Sequence, residues 1–135
     1  MITNDNKLLN KRKEKMENTL YERLGGEVGI RKLANDIAEN HLANPLIKTR
    51  FEIIEDLDKT KQLVFEFICA GTGGPQAYTG VGMLKAHKGM NISEEEFIAV
   101  VDDIMDAMDQ NNLGEREKND MLAIAYSLKG EIIRV

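Results

Sequence analysis

The chain has a single cysteine, Cys69, and without a second thiol no internal disulfide can staple the fold. Set within Phe67-Ile68-Cys69-Ala70, that thiol is expected to serve as a small buried hydrophobe. No run of about eighteen apolar residues is present, which argues against a membrane-spanning helix, and the first residues lack the apolar core of a secretory leader. The expectation is a cytoplasmic protein with no stable membrane insertion. There is no surplus of positive charge: 18 Lys and Arg stand against 23 Asp and Glu, a net of -5, so the basic face of a nucleic-acid binder is missing. The glycine-rich stretch Gly71-Thr72-Gly73-Gly74-Pro75 lacks the Gly-Lys-Ser/Thr ending of a phosphate-binding loop, which argues against nucleotide binding. No segment alternates strictly between apolar and polar, as a half-buried strand would, and no internal repeat is found.

What is present is charge, unevenly placed, and helical periodicity. Residues 94 to 120 hold ten acidic side chains against two basic, whereas residues 1 to 18 hold five basic against three acidic. The polar, basic start reads as an N-terminal arm or pre-helix over residues 1–17, followed by one domain over 18–135, a length that supports a single core. Four segments carry apolar residues at steps of three and four. The first holds Ile30, Leu33, Ala34, Ile37, Ala38, His41 and Leu42 and is closed by Pro45. The second holds Leu57, Leu63, Val64, Phe67 and Ile68 and stops at Gly71. The third opens on a capping box, Ser93 with Glu96, and runs through Phe97, Val100, Val101, Ile104, Met105 and Met108. The fourth follows Gly114 with Met121, Leu122, Ala125, Leu128 and Ile132. The pattern predicts an all-α bundle around one apolar centre.

One short stretch breaks the rule that chemistry-bearing side chains face solvent. In Met83-Leu84-Lys85-Ala86-His87-Lys88-Gly89-Met90, helical spacing sets Met83, Leu84 and Met90 beside the His87 imidazole. Such a histidine is either a hydrogen-bonded core residue or a metal ligand. An apolar face with one good ligand suits a cofactor that is mostly hydrocarbon around a metal, which is the description of haem. Periodicity leaves the two readings open.

The motifs resemble those of the truncated hemoglobins, specifically the first group of that family. Thr19-Leu20-Tyr21-Glu22-Arg23-Leu24-Gly25-Gly26 is similar to the family's opening motif, with its first glycine pair. Gly73-Gly74-Pro75, Tyr78-Thr79-Gly80, Met83 and Ala86-His87-Lys88-Gly89-Met90 are similar to the second glycine pair and the proximal-histidine segment. The resemblance covers about residues 18 to 133. It implies a globin-like two-over-two helical sandwich, haem b as cofactor and His87 as the iron ligand. Phe51 matches the phenylalanine that packs on the haem plane, and Met83, Leu63, Phe67, Tyr78, Val101 and Met105, with Met108, would line the pocket.

Across the iron this chain departs from the family. A Phe-Tyr pair is often found where this chain has Ile37 and Ala38, and the glutamine or histidine of the next helix is matched by Leu63 and Val64. His41, one turn past Ala38, is the best replacement donor, with Gln62 and Thr60 behind it. The resemblance implies binding of dioxygen, nitric oxide and carbon monoxide, oxygen transport, and an extension to nitric oxide dioxygenation served by a reductase. It leaves the enzymatic question open and names no protein side chain as catalytic. A monomer or weak dimer is expected. The rival reading is a globin-shaped sensor or interaction module with little or no haem catalysis.

Overall fold

A computed structural model of the chain describes residues 19–135; the arm at residues 1–17 lies outside them. Among the described residues seven α-helices follow in order: α1 Leu20–Arg23, α2 Gly26–Ala43, α3 Lys48–Glu52, α4 Leu57–Gly71, α5 Met83–His87, α6 Glu94–Gln110 and α7 Glu115–Ser127, closed by a 3-10 turn at Lys129–Glu131. Among the described residues there is no strand, only an isolated bridge between Ile92 and Ile133. Nor is any helix there long and apolar enough to cross a membrane.

The long helices begin where the sequence placed their signals. Ser93 Oγ accepts from Glu96 N at 3.1 Å while the Glu96 carboxylate accepts from Ser93 N at 3.2 Å, so the predicted capping box is formed. Asp56 caps α4 by accepting from Lys59 N at 3.0 Å. Helix α2 stops at Ala43, two residues ahead of Pro45. The fourth periodic segment runs less far than expected. Helix α7 ends at Ser127 and the chain tightens into the 3-10 turn, so Ile132 leaves the helix and packs with the loop that follows α5.

Helix α2 is the central element, crossing α4 on one side and α6 on the other, with α7 laid along α6. It buries Ile30, Leu33, Ala34 and Ile37 against Phe65, Ile68 and Cys69 of α4, Ala107 and Met108 of α6 and Met121 of α7. Each such large apolar side chain contributes about 1.5–3 kcal/mol when removed from water. A second cluster, Ile92, Phe97 and Val101, is closed by Leu122, Ala125, Ile132 and Ile133, and Met105 bridges the two. Two helix pairs, α2 with α4 and α6 with α7, make the predicted two-over-two sandwich. Cys69 is completely buried, and burial pushes its thiol pKa up, as suits a structural residue.

Both glycine pairs meet on one tyrosine. Gly25 and Gly26 take left-handed φ of 96° and 64°, turning the chain from α1 into α2 within two residues. Gly73, at φ 99°, ends α4, and Gly74 N donates to Cys69 O at 2.8 Å in a Schellman-type closure. A Cβ on Gly74 would stand 2.5 Å from the Tyr21 ring, so only glycine lets α1 lie on the end of α4. Tyr21 N completes the junction by donating to Thr72 O at 2.9 Å.

Candidate haem site

His87 is the last residue of α5 and is half-buried. Its Nδ1 lies 2.8 Å from the Met83 carbonyl, one turn back, and a carbonyl can only accept. Nδ1 therefore carries a proton, and of the two neutral tautomers the contact selects the one whose lone pair lies on Nε2, an atom with no hydrogen-bond partner among the described residues. A neutral imidazole oriented through its far nitrogen is the form that ligates a metal.

The segment that delivers this histidine is fastened at both ends. Ahead of it, the Glu66 carboxylate of α4 accepts from Thr79 N at 2.9 Å and Thr79 Oγ1 at 2.7 Å, bonds that hold its pKa below the usual carboxylate range. Tyr78 sets its ring edge-on to Phe67, centroids 5.3 Å apart, and donates to Val81 O at 2.6 Å. Behind it, Gly89 turns the chain at φ 87°, and the loop is tied down by Gly89 N to Val135 O at 3.1 Å and Arg134 N to Ile92 O at 3.0 Å. Continuous helical spacing through Met90 is thus overturned: α5 ends at His87, Met90 lies beyond the turn, and Leu84 is 49% exposed. Met83 keeps its place one turn before the imidazole.

The residues expected to line a pocket fall into two groups. Met83, Leu63, Phe67 and Tyr78 are half-buried, and Val81 and Leu84 are exposed, so these side chains keep apolar surface uncovered by protein. Val101 is buried in the second cluster, with Met105 bridging it to the main core. Partly open apolar side chains, together with an imidazole nitrogen that has no partner among the described residues, suit a flat, largely hydrocarbon group with a metal centre. No His/Cys/Asp/Glu cluster able to hold a bare metal ion exists among the described residues.

On the other side, Ile37 is buried and Ala38, Leu63 and Val64 are half-buried, all without polar side-chain atoms. Thr60 turns its hydroxyl to the Asp56 carbonyl at 3.2 Å, within its own helix start. Gln62 is exposed, held by Arg31 Nη1 at 2.9 Å and Glu66 at 3.1 Å, and lines a surface cavity of about 250 Å³ between α2 and α4 that His87 does not line. His41 is buried; its Nδ1 lies 2.8 Å from Asp103 Oδ2 and its ring stacks on Phe51, centroids 4.5 Å apart and planes 23° from parallel. Burial lowers its pKa and Asp103 offsets this in part, so near neutral pH the imidazole is neutral. With its proton on Nδ1, Nε2 accepts rather than donates, and only the imidazolium can donate from Nε2.

Asp103 is the residue that sequence reasoning missed. A signal existed, since Ala99, Asp103 and Ala107 recur every fourth residue and form a second buried stripe on α6 beside the apolar one.

A short proximal helix with an oriented histidine, mounted on two crossed helix pairs, defines a small globin-type haem protein. The chain matches the bacterial-like globin family over residues 19–133. It is 34% identical over 86 residues to the group 1 truncated hemoglobin of Tetrahymena pyriformis, covering 64% of this chain and 70% of that one. Over 114 residues it is 25% identical to the group 1 truncated hemoglobin GlbN of Mycolicibacterium paratuberculosis, covering 84% and 83%. The Fe(III) crystal structure of the Tetrahymena protein superposes with a TM-score of 0.83 at 24% identity, over 87% of this chain and all of that one. The chain belongs to the bacterial-like globins and, within them, to the truncated hemoglobins of the first group, whose cofactor is iron haem.

Proposed function

We propose that His87 Nε2 holds the iron of haem b, and that the protein binds dioxygen, nitric oxide and carbon monoxide reversibly on the opposite side. The observation that carries this reading is the 2.8 Å contact between His87 Nδ1 and Met83 O, which fixes the ligating tautomer. Haem, when bound, supplies an iron that takes a diatomic ligand and exchanges an electron. The chain's own residues supply the rest: Phe51, Met83, Leu63, Phe67, Tyr78, Val101 and Met105 enclose the group, and Ile37, Ala38, Leu63 and Val64 keep the ligand side nearly free of donors. Conversion of nitric oxide and dioxygen to nitrate is the extension we attach to this site, with a reductase as electron donor, in a cytoplasmic monomer or weak dimer. Oxygen transport is weakly served by such a site, because Ile37, Ala38, Leu63 and Val64 would offer no hydrogen-bond donor to retain a polar diatomic ligand.

The test is the absorption spectrum of protein expressed with haem supply, where a Soret band is expected in wild type and its loss in His87→Ala. No band in wild type would end the reading. Stopped-flow oxygen dissociation then addresses the ligand side. Fast release at neutral pH is expected, slowing as His41 protonates in acid and Nε2 becomes a donor. Release that is slow at pH 7 and unchanged in His41→Ala would sink both the apolar-pocket argument and the role of His41.

A further inference from the structure

The polar cluster at the end of α2 includes Asp103, a carboxylate given no role in the site described above. Three contacts converge on the Asp103 carboxylate: His41 Nδ1 at 2.8 Å, and Asn44 Nδ2 at 3.1 and 3.2 Å to its two oxygens. Asn40 Nδ2 adds a bond to the Asp103 carbonyl at 3.1 Å. His41 and Asp103 are each 6% exposed, and among the described residues no lysine or arginine pairs with this carboxylate. Burying a carboxylate on so few donors is costly, and an apolar pair would pack α2 on α6 at least as well.

The histidine's other contact is Phe51. The Nδ1 bond fixes the plane of the imidazole, because rotation about its Cβ–Cγ bond would carry Nδ1 away from Asp103. A ring stacked on that imidazole at 4.5 Å is held at a set angle in turn. Phe51 needs such support, since it rides on the five-residue α3, which buries none of its own side chains. Arg50, one residue earlier, is braced to α6 as well, through its ion pair with Glu96. We propose that Asp103 and His41 are positioning residues: through the Nδ1 bond they set the plane of the Phe51 ring, and Phe51 in that plane packs against the haem and holds it in place. The inference rests on the haem reading above.

Holoprotein is compared for haem loss to an excess of haem-scavenging apoprotein, and for Soret-region circular dichroism, which reports aromatic rings held at a fixed angle to the haem. Phe51→Ala, His41→Ala and Asp103→Leu should each speed haem loss at least tenfold and change the dichroism. The double variant of His41 and Asp103 should be no worse than either single one. Asp103→Asn keeps an oxygen acceptor for Nδ1 and should stay within about threefold of wild type. In a His41→Phe background, which retains a stackable ring but no Nδ1, Asp103→Asn should change nothing. Wild-type loss rates in Asp103→Leu, or a silent Phe51→Ala, would overturn the positioning role while a His87-dependent Soret band left the haem reading standing. An Asp103→Asn effect that survives without His41 would also overturn it. Absence of the Soret band from wild type would instead overturn the haem reading.

Discussion

Deleting the Asp103 carboxylate tests the same cluster through stability, and its cost can be worked from the contacts. Asp103→Ala removes the acceptor of His41 Nδ1 and both acceptors of Asn44 Nδ2. The buried Nδ1–H is left unpaired at about 1–3 kcal/mol, and moving the proton to Nε2 only exchanges an unmet donor for an unmet acceptor. Asn44 is half-buried and can turn to water, so its loss is limited to about 0.5–1.5 kcal/mol. Relief from burying a carboxylate offsets about 1 kcal/mol of this. The net spans about 0.5–3.5 kcal/mol and centres on about 2 kcal/mol, or roughly 6 °C in Tm at about 3 °C per kcal/mol for a domain of this size. Urea denaturation followed by circular dichroism, in a double-mutant cycle with His41→Ala, should give a coupling energy of about 1.5 kcal/mol or more. A pH series adds an independent sign. Burial lowers the folded-state pKa of His41, so as pH falls below about 6.5 the unfolded chain takes up the proton first and stability declines. The decline ends once the folded-state pKa is passed. His41→Phe should remove that part of the slope. Coupling near zero, or a stability change below about 0.5 kcal/mol in Asp103→Ala, would refute the reasoning.

Three further outcomes can be measured. Ser93→Ala removes one half of the capping box and should cost about 1 kcal/mol in denaturant unfolding, with haem binding retained. Gly74→Ala drives a methyl into the Tyr21 ring at the junction of α1 and α4, and a loss of about 1–3 kcal/mol is expected, relieved by Tyr21→Leu. Glu66→Ala frees the backbone of Thr79, whose amide exchange should accelerate at least tenfold. In wild type the protection of that amide, measured against its intrinsic exchange rate at each pH, should fall as pH drops below the ordinary carboxylate range, because the bonds to Thr79 are what depress the Glu66 pKa.

The sequence by itself marked where the long helices begin and where two of them stop, and it singled out His87, the iron ligand proposed above. Ser93 with Glu96 bracketed the start of α6, Pro45 lay just past the end of α2, and Gly73 ended α4, because caps and breakers act within a few residues of where they are written. His87 was legible for the same reason: its orienting carbonyl, Met83 O, lies one turn away on its own short helix. What only the tertiary structure decided depends on groups far apart in the chain. Periodicity could not stop α5 at His87, since the turn at Gly89 is held by bonds from residues 134 and 135. It read His41 as a candidate donor, whereas the fold brings Asp103, sixty-two positions away, onto Nδ1 and leaves Nε2 an acceptor near neutral pH. A residue type states which bonds a side chain can make, but its tautomer and charge are set by neighbours that only the crossing of α2 and α6 supplies.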